Sequence, residues 1–291
     1  MNSELSNNTP AGFSETQRAA LLTLLTDEDP GVYQAIRDKI LACGPHTCEW
    51  LRPHVLSRDP VLRRRTQEII DRFARDSADS RFLAFCVQHH GAAFDLEQGV
   101  WLLAQTRHPE ANCEAYQALL DSYATDLKES IPPAVRAGQV LTTLNDFLFE
   151  RLGYQGDESD YYHPDNSYLN RVMDRRRGNP ISLSLVYLFL ARRLRLPVTG
   201  IGLPGHFLCR FQNSAEEIYI DVFHRGRFLT KNDCLHHLVK SHYPLDQAYL
   251  SPATPHQILT RICANLHQSY LRLEQAEEAR RLERYVIALA R

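Results

Sequence analysis

The sequence has seven cysteines but no C-x-x-C pair, so neither a zinc knuckle nor a thioredoxin-type motif is written in it. The thiols are odd in number and scattered from Cys43 to Cys263; free cysteines in a reducing compartment are expected, not a disulfide framework. An excess of charge of one sign is also missing, with 33 basic residues against 35 acidic ones and a net charge of −2. No electrostatic pull toward nucleic acid or anionic lipid follows, and no nucleic-acid partner is expected. The longest nearly unbroken apolar run, ISLSLVYLFLA from Ile181 to Ala191, is too short to cross a bilayer and reads as a buried helix. The opening MNSELSNNTPAGFSE has no basic stretch followed by an apolar centre, so it is not read as a signal peptide, and a cytoplasmic setting is expected. Thirteen histidines invite a metal site. His224 falls three residues after Asp221, and His236 and His237 are adjacent, but neither matches H-E-x-x-H or another ligand spacing. Neither a metal nor a cofactor is expected.

What is present is helical at both ends. The 291 residues, 44% hydrophobic, suffice for one large domain or two to three small ones with cores of their own. Residues 1–15 read as a loose tail. From 16 to 130 apolar residues recur at helical spacing, over 25–41, 56–74, 80–91, 95–108 and 112–130. Asp29-Pro30 and Asp59-Pro60 each read as an N-cap followed by proline at the first helical position. Their offset of roughly 30 residues hints at HEAT-type hairpins. Ile131-Pro132-Pro133 breaks the pattern and suggests a boundary. A core over 131–250 then holds the buried helix, capped by Asn179 with Pro180 behind it. Two strand regions follow, PVTGIGL into HFLCRFQ and EIYIDVFHRGRFLT, the second turning at Arg225-Gly226. The last stretch, 251–291, reads as two amphipathic helices joined near Leu273 to Gln275, like one tetratricopeptide-like hairpin.

Three chemistry-bearing residues occur in order. Ser182 lies in the first turn of the buried helix, where the helix dipole favours a developing anion. His206 and Asp221 are placed on successive strands, where an imidazole can take the proton of a nucleophile and a carboxylate can orient that imidazole. Cys209 follows His206 by three positions. If both lie on one strand their side chains point to opposite faces, so Cys209 is read as a small buried hydrophobe.

The strings DYYHPDNSYLN (160–170), RRRGNPISLSLVY (175–187), LPGHFLCRF (203–211) and the Asp221 strand, with WLLAQTRHP and LNDFLFERLGYQG, resemble the transglutaminase-like superfamily, of papain-like fold. More closely they resemble its uncharacterised bacterial SirB-type branch. The likeness runs over about residues 95–235 and implies an α+β fold: an N-terminal helical domain, a core with a central buried helix against a small antiparallel sheet, and a C-terminal helical hairpin. By the same likeness His206 and Asp221 match the family histidine and aspartate. The family cysteine falls at about Ile181 or Ser182, where this chain has none. Family cores also usually have glycine where this chain has Arg195.

Two functions follow from the resemblance. One is a protein without the nucleophilic cysteine that acts as a binding or regulatory module for a protein or peptide partner. The other is a hydrolase or acyl transferase on amide or ester bonds, in which Ser182 attacks, His206 serves as base and acid, and Asp221 orients it. The polar aromatic segment 161–170 is expected near the cleft, with Asn166, Tyr168 and Asn179 as binding candidates. Asn166 would supply an oxyanion donor in the second reading. Arg171, Arg175, Arg176 and Arg177 read as a solvated face or, alternatively, a clamp for phosphate or carboxylate.

Overall fold

The computed structural model describes residues 13–88, 94–132, 136–244 and 246–290. The tail expected over 1–15 falls mostly outside them, as do Pro133 of the boundary signal and the end of the 80–91 segment. The chain divides into two compact units, Met1–Ser80 and Arg81–Arg291.

In the first unit, α1 (Glu15–Leu25) opens on a capping box. Ser14 accepts from the Gln17 N–H, and the Gln17 side chain accepts from the Ser14 N–H, satisfying two otherwise orphaned donors. Next come α2 (Pro30–Ala42), with Asp29 as N-cap, the short α3 (Cys48–Leu51), and the first part of α4 (Pro60–Gln88). Leu21, Leu25, Ile40, Leu51, Ile69 and Phe73 form a small core. Arg65 donates to the carbonyls of Leu25 and Asp27, both at 2.7 Å, and so satisfies the end of α1. Helix α4 runs unbroken through what the sequence pattern separates into 56–74 and 80–91. No glycine or proline lies between those segments, and Arg72–Asp76, an i,i+4 ion pair at 3.1 Å, supports the junction.

The second unit is α+β. Its helices are the remainder of α4, then α5 (Leu96–Arg107), α6 (Cys113–Ser130), α7 (Ala137–Asn145), α8 (Leu169–Arg175), α9 (Pro180–Arg193), α10 (Lys231–Lys240), α11 (Pro255–Arg272) and α12 (Ala276–Leu289). Strands β1 (Gln155–Gly156) and β2 (Arg177–Gly178) make a short parallel pair. Strands β3 (Val198–Ile201), β4 (Leu208–Gln212), β5 (Glu217–Asp221) and β6 (Arg227–Leu229) form an antiparallel meander in chain order. The alternation of strand side chains sorts two cores. Cys209, Phe211 and Ile220 join the cluster built around α9. Leu208 and Tyr219 join Cys234 and Leu238 of α10 on the other face. Thus α9 is the central helix, and every residue from Pro180 to Tyr187 is buried. Its C-terminal end turns at Arg195, which adopts φ 57°, a left-handed conformation that glycine takes without cost. This explains why glycine is usual there in the family the sequence resembles. Helices α11 and α12 fold back on each other across Leu273–Gln275, as their amphipathic pattern implies.

Helices α5 and α6 share the α9 core through Trp101, Leu103, Leu120 and Leu127. Charge also ties them to it. Glu97, 3% exposed, bonds to Arg192 and, at 2.9 Å, to Arg193, which also reaches Asp121. A carboxylate this buried is tolerated only because cations surround it, and its removal would leave Arg193, 15% exposed, short of a counter-ion. Glu97→Ala should therefore lower unfolding free energy by about 3 kcal/mol in urea titrations, whereas the exposed pair Arg37–Asp38 should contribute less than about 1 kcal/mol when broken.

Candidate functional site

The start of α9 is buried, so its free N–H groups must find partners within the protein. Asn179 is the N-cap and its Oδ1 accepts from the Ser182 N–H at 3.0 Å. Its Nδ2 donates to Ser167 Oγ at 2.8 Å, and its own N–H donates to the Asn166 carbonyl at 3.2 Å. The Ser182 hydroxyl donates to that same Asn166 carbonyl at 2.5 Å, with the Asn179 carbonyl at 3.1 Å. Ser182 is fully buried, and among the described residues no hydrogen bond joins it to His206. A cleft of about 330 Å³ lies in front of the helix instead, and Asn179, Pro180 and Ile181 are the helix residues that line it. Of the two positions expected for a family cysteine, Ile181 is the one on the cleft.

His206 lines the same cleft. It lies in the loop before β4, not on the strand, so strand alternation does not relate it to Cys209. The Pro204-Gly205 turn, with Gly205 at φ 71°, brings it there. Arg261 of α11 holds the loop by donating to the carbonyls of Leu203 at 2.7 Å and His206 at 2.8 Å. Cys209 is fully buried against α9 with its Sγ 3.9 Å from the Ser184 carbonyl. Burial pushes its thiol up to about 12, far from a thiolate at neutral pH.

Asp221 ends β5 and stands 3.0 Å from His206 Nε2. The contact is close but poorly aligned, and Nε2 is a buried nitrogen with no hydrogen-bond partner. The other Asp221 oxygen is 2.8 Å from His224 Nδ1, and Asp221 also accepts from the His224 N–H at 3.3 Å. Burial pushes the Asp221 carboxyl up, but His206 and then His224 outweigh it and hold it below the ordinary carboxylate range. His237 of α10 closes this side, its ring centroid 5.8 Å from that of His206. Burial, then the neighbouring His206, holds its imidazole down.

The remaining sequence candidates sit elsewhere. Asn166 is fully buried; its Nδ2 donates to the Asp160 carbonyl at 2.7 Å and its Oδ1 accepts from Arg175 at 3.1 Å. Tyr168 is buried with its hydroxyl 3.0 Å from that of Tyr270. Arg175 pairs with the buried Asp157 at 3.1 Å and Arg171 with Asp165 at 3.3 Å, so this part of the basic run is internal wiring. Sequence reasoning noted His224 three residues after Asp221 and the His236-His237 pair but expected no site from them, and it did not anticipate the cleft cations Arg261 and Arg272. The two arginines both come from α11, and no local spacing relates them to His206.

A family model described as "Transglutaminase-like superfamily" matches residues 114–264, which include the start of α9, His206 and Asp221. The chain belongs to the transglutaminase-like superfamily. A UPF0162 protein of Xylella fastidiosa is 35% identical over 65% of this chain and 69% of its own length. A UPF0162 protein of Vibrio cholerae is 28% identical over 63% of this chain and 69% of its own. Human F-box only protein 21 is 37% identical over 44% of this chain but only 21% of its own length. No solved structure matches. No helix among the described residues is long and apolar enough to cross a membrane.

Two predictions test this geometry. If position 181 is where this superfamily's scaffold presents a nucleophile, Ile181→Cys places a thiol at a helix N-terminus beside an imidazole, which favours the thiolate. Iodoacetamide should alkylate that cysteine at least roughly tenfold faster than a free thiol at pH 7, and His206→Ala should abolish the advantage. The second concerns Asp165, which His108, at 3.7 Å, and then Arg171 hold down to about 2 against an ordinary 3.8. A depressed carboxyl stabilises the fold above its unfolded value, and that stabilisation is lost as pH falls through the folded one. Asp165→Asn should cost about 1 kcal/mol at pH 6, a figure discounted for solvent screening. The difference from the parent should shrink as pH drops from about 4 toward 2 in thermal unfolding.

Proposed function

We propose that this chain is a transglutaminase-like binding module for a protein or peptide partner and does not turn over amide bonds. The observation that carries the reading is the side chain at the cleft end of α9. It is Ile181, an apolar group, while the nearby Ser182 hydroxyl is committed to two backbone carbonyls. The charged residues lining the cleft are Arg261 and Arg272, with His206 between apolar and amide neighbours such as Ile181, Asn265 and Gln268. Among the described residues no carboxylate lines it. Such a cleft suits a segment that presents a carboxylate or carboxamide group. Arg272, stacked 3.9 Å above the Tyr162 ring, is positioned as the adjustable cation, whereas Arg261 is occupied in holding the His206 loop. A cytosolic setting and a place in the SirB-type branch belong to the same proposal. The first rests on seven unbridged cysteines and the second on the strings quoted above.

The alternative, a Ser182–His206–Asp221 hydrolase, draws support from the His206–Asp221 contact. It requires the Ser182 hydroxyl to leave the Asn166 carbonyl and turn toward His206. Two measurements separate the readings. In fluorescence anisotropy, short peptides ending in a free carboxylate should bind more tightly than their amidated forms, and Arg272→Gln should weaken them about fivefold. Fluorophosphonate treatment read by mass spectrometry should leave Ser182 unmodified. An adduct at Ser182 that disappears in both Ser182→Ala and His206→Ala would establish the hydrolase instead.

A further inference from the structure

We propose that His206, Asp221 and His224 form a binding site for a divalent cation of the zinc class. The inference goes beyond the peptide-binding reading and does not depend on it. A catalytic imidazole–carboxylate relay needs one histidine on the carboxylate. Here two imidazoles converge on it, one on each oxygen, and the second has no part in a relay. Donor atoms of the three side chains lie within 4.8 Å of one another. The contacts of 3.0 and 2.8 Å fall slightly short of the roughly 3.3 Å that separates neighbouring ligands around a tetrahedral ion with bonds of about 2.0 Å. Small side-chain movements would therefore admit an ion between them. Two imidazoles and a carboxylate are the donor set that suits zinc, cobalt or nickel rather than calcium or magnesium.

The unpartnered nitrogen is the second observation. His206 Nε2 is buried and lacks an aligned hydrogen bond although a carboxylate stands beside it. Such an orphan costs stability, and metal coordination would satisfy its lone pair. The backbone around the ligands is also held. Arg261 fixes the His206 carbonyl. The Gly226 N–H donates to the Asp221 carbonyl at 2.8 Å, and Asn145 donates to the Gly226 carbonyl at 2.7 Å. Outer contacts of this kind orient ligands before the ion arrives. The His224 side chain is 54% exposed and lines a depression with Glu158 and Arg225, which gives an ion a route from solvent. The three side chains leave a fourth coordination position for water or a ligand group.

The test is calorimetric titration of the full-length, chelator-stripped chain with zinc chloride, beside cobalt(II) absorption. The expected result is saturable binding of one equivalent, with the visible bands of a tetrahedral cobalt site. His224→Gln should weaken binding by at least roughly tenfold, and Asp221→Asn should do the same. The exposed His46→Gln should leave binding unchanged. His224 stands on an exposed turn, so circular dichroism should show His224→Gln folded, and Asp221→Asn provides a second reading. Absence of one-equivalent binding by the parent chain, or unaltered affinity in both ligand variants, would overturn the proposal. Peptide binding measured in chelator reports on the cleft separately, so either reading can fail without the other.

Discussion

The start of α9 is almost wholly buried, and much of the site follows from that. A helix in solvent lets water satisfy its first N–H groups. Here Asn179 does so from inside, and the Asn166 carbonyl accepts both the Asn179 N–H and the Ser182 hydroxyl. The segment 160–170, polar and aromatic though it is, therefore serves first as the socket into which the helix plugs. A side chain committed to that socket is not free for chemistry. The cleft receives what remains of the first turn: the flank of Asn179, Pro180 and Ile181. Cleft composition is in this sense a by-product of how a buried helix terminus is satisfied.

The sequence spoke most clearly where local chemistry and tertiary structure agree. Asn179-Pro180 ahead of an apolar run marks the start of α9 to the residue, because cap and proline act within one turn. Arg225-Gly226 marks the β5–β6 turn, where both residues take left-handed φ values of 58° and 73°. His206 and Asp221 come together because consecutive strands of a meander are neighbours, which needs little knowledge of the remainder of the fold. Arg171 and Arg175 were harder. Nothing near them in the sequence says that Asp165 and Asp157 will be their partners, and a basic run beside a neutral chain looks like solvated surface. The choice between Ile181 and Ser182 lies below the resolution of any spacing argument, since adjacent helix residues differ by 100° in direction. Arg261 and Arg272 reach the cleft from a hairpin more than fifty residues beyond His206, so their contribution exists only once the chain has folded.

The two faces of the small sheet divide the labour. Cys209 and Ile220 point to α9, and Leu208 and Tyr219 to α10. With β4 and β5 packed on both faces, the functional side chains are found at their ends: His206 in the loop entering β4, Asp221 at the last position of β5, His224 in the turn beyond. This places polar groups where backbone direction changes and solvent is near, while the centre of the sheet, Leu208 and Cys209 of β4 and Tyr219 and Ile220 of β5, stays buried. It also accounts for the inert thiols. Cys209, Cys234 and Cys263 are interior residues on elements that pack, and burial pushes each of their thiols upward.

The Asp221 carboxylate is then the expensive part of the design. It is 7% exposed, and an ionised group at that depth needs compensation from charge or hydrogen bonds. Two side chains stand against it: His224 Nδ1 at 2.8 Å from one oxygen, and His206 Nε2 at 3.0 Å from the other without the alignment of a hydrogen bond. The carboxylate is thus compensated well on one side and incompletely on the other. A buried polar pair left short of an aligned partner is unusual in a folded protein, and a cation held among the three side chains would engage both the carboxylate and the His206 nitrogen that the protein itself leaves unbonded.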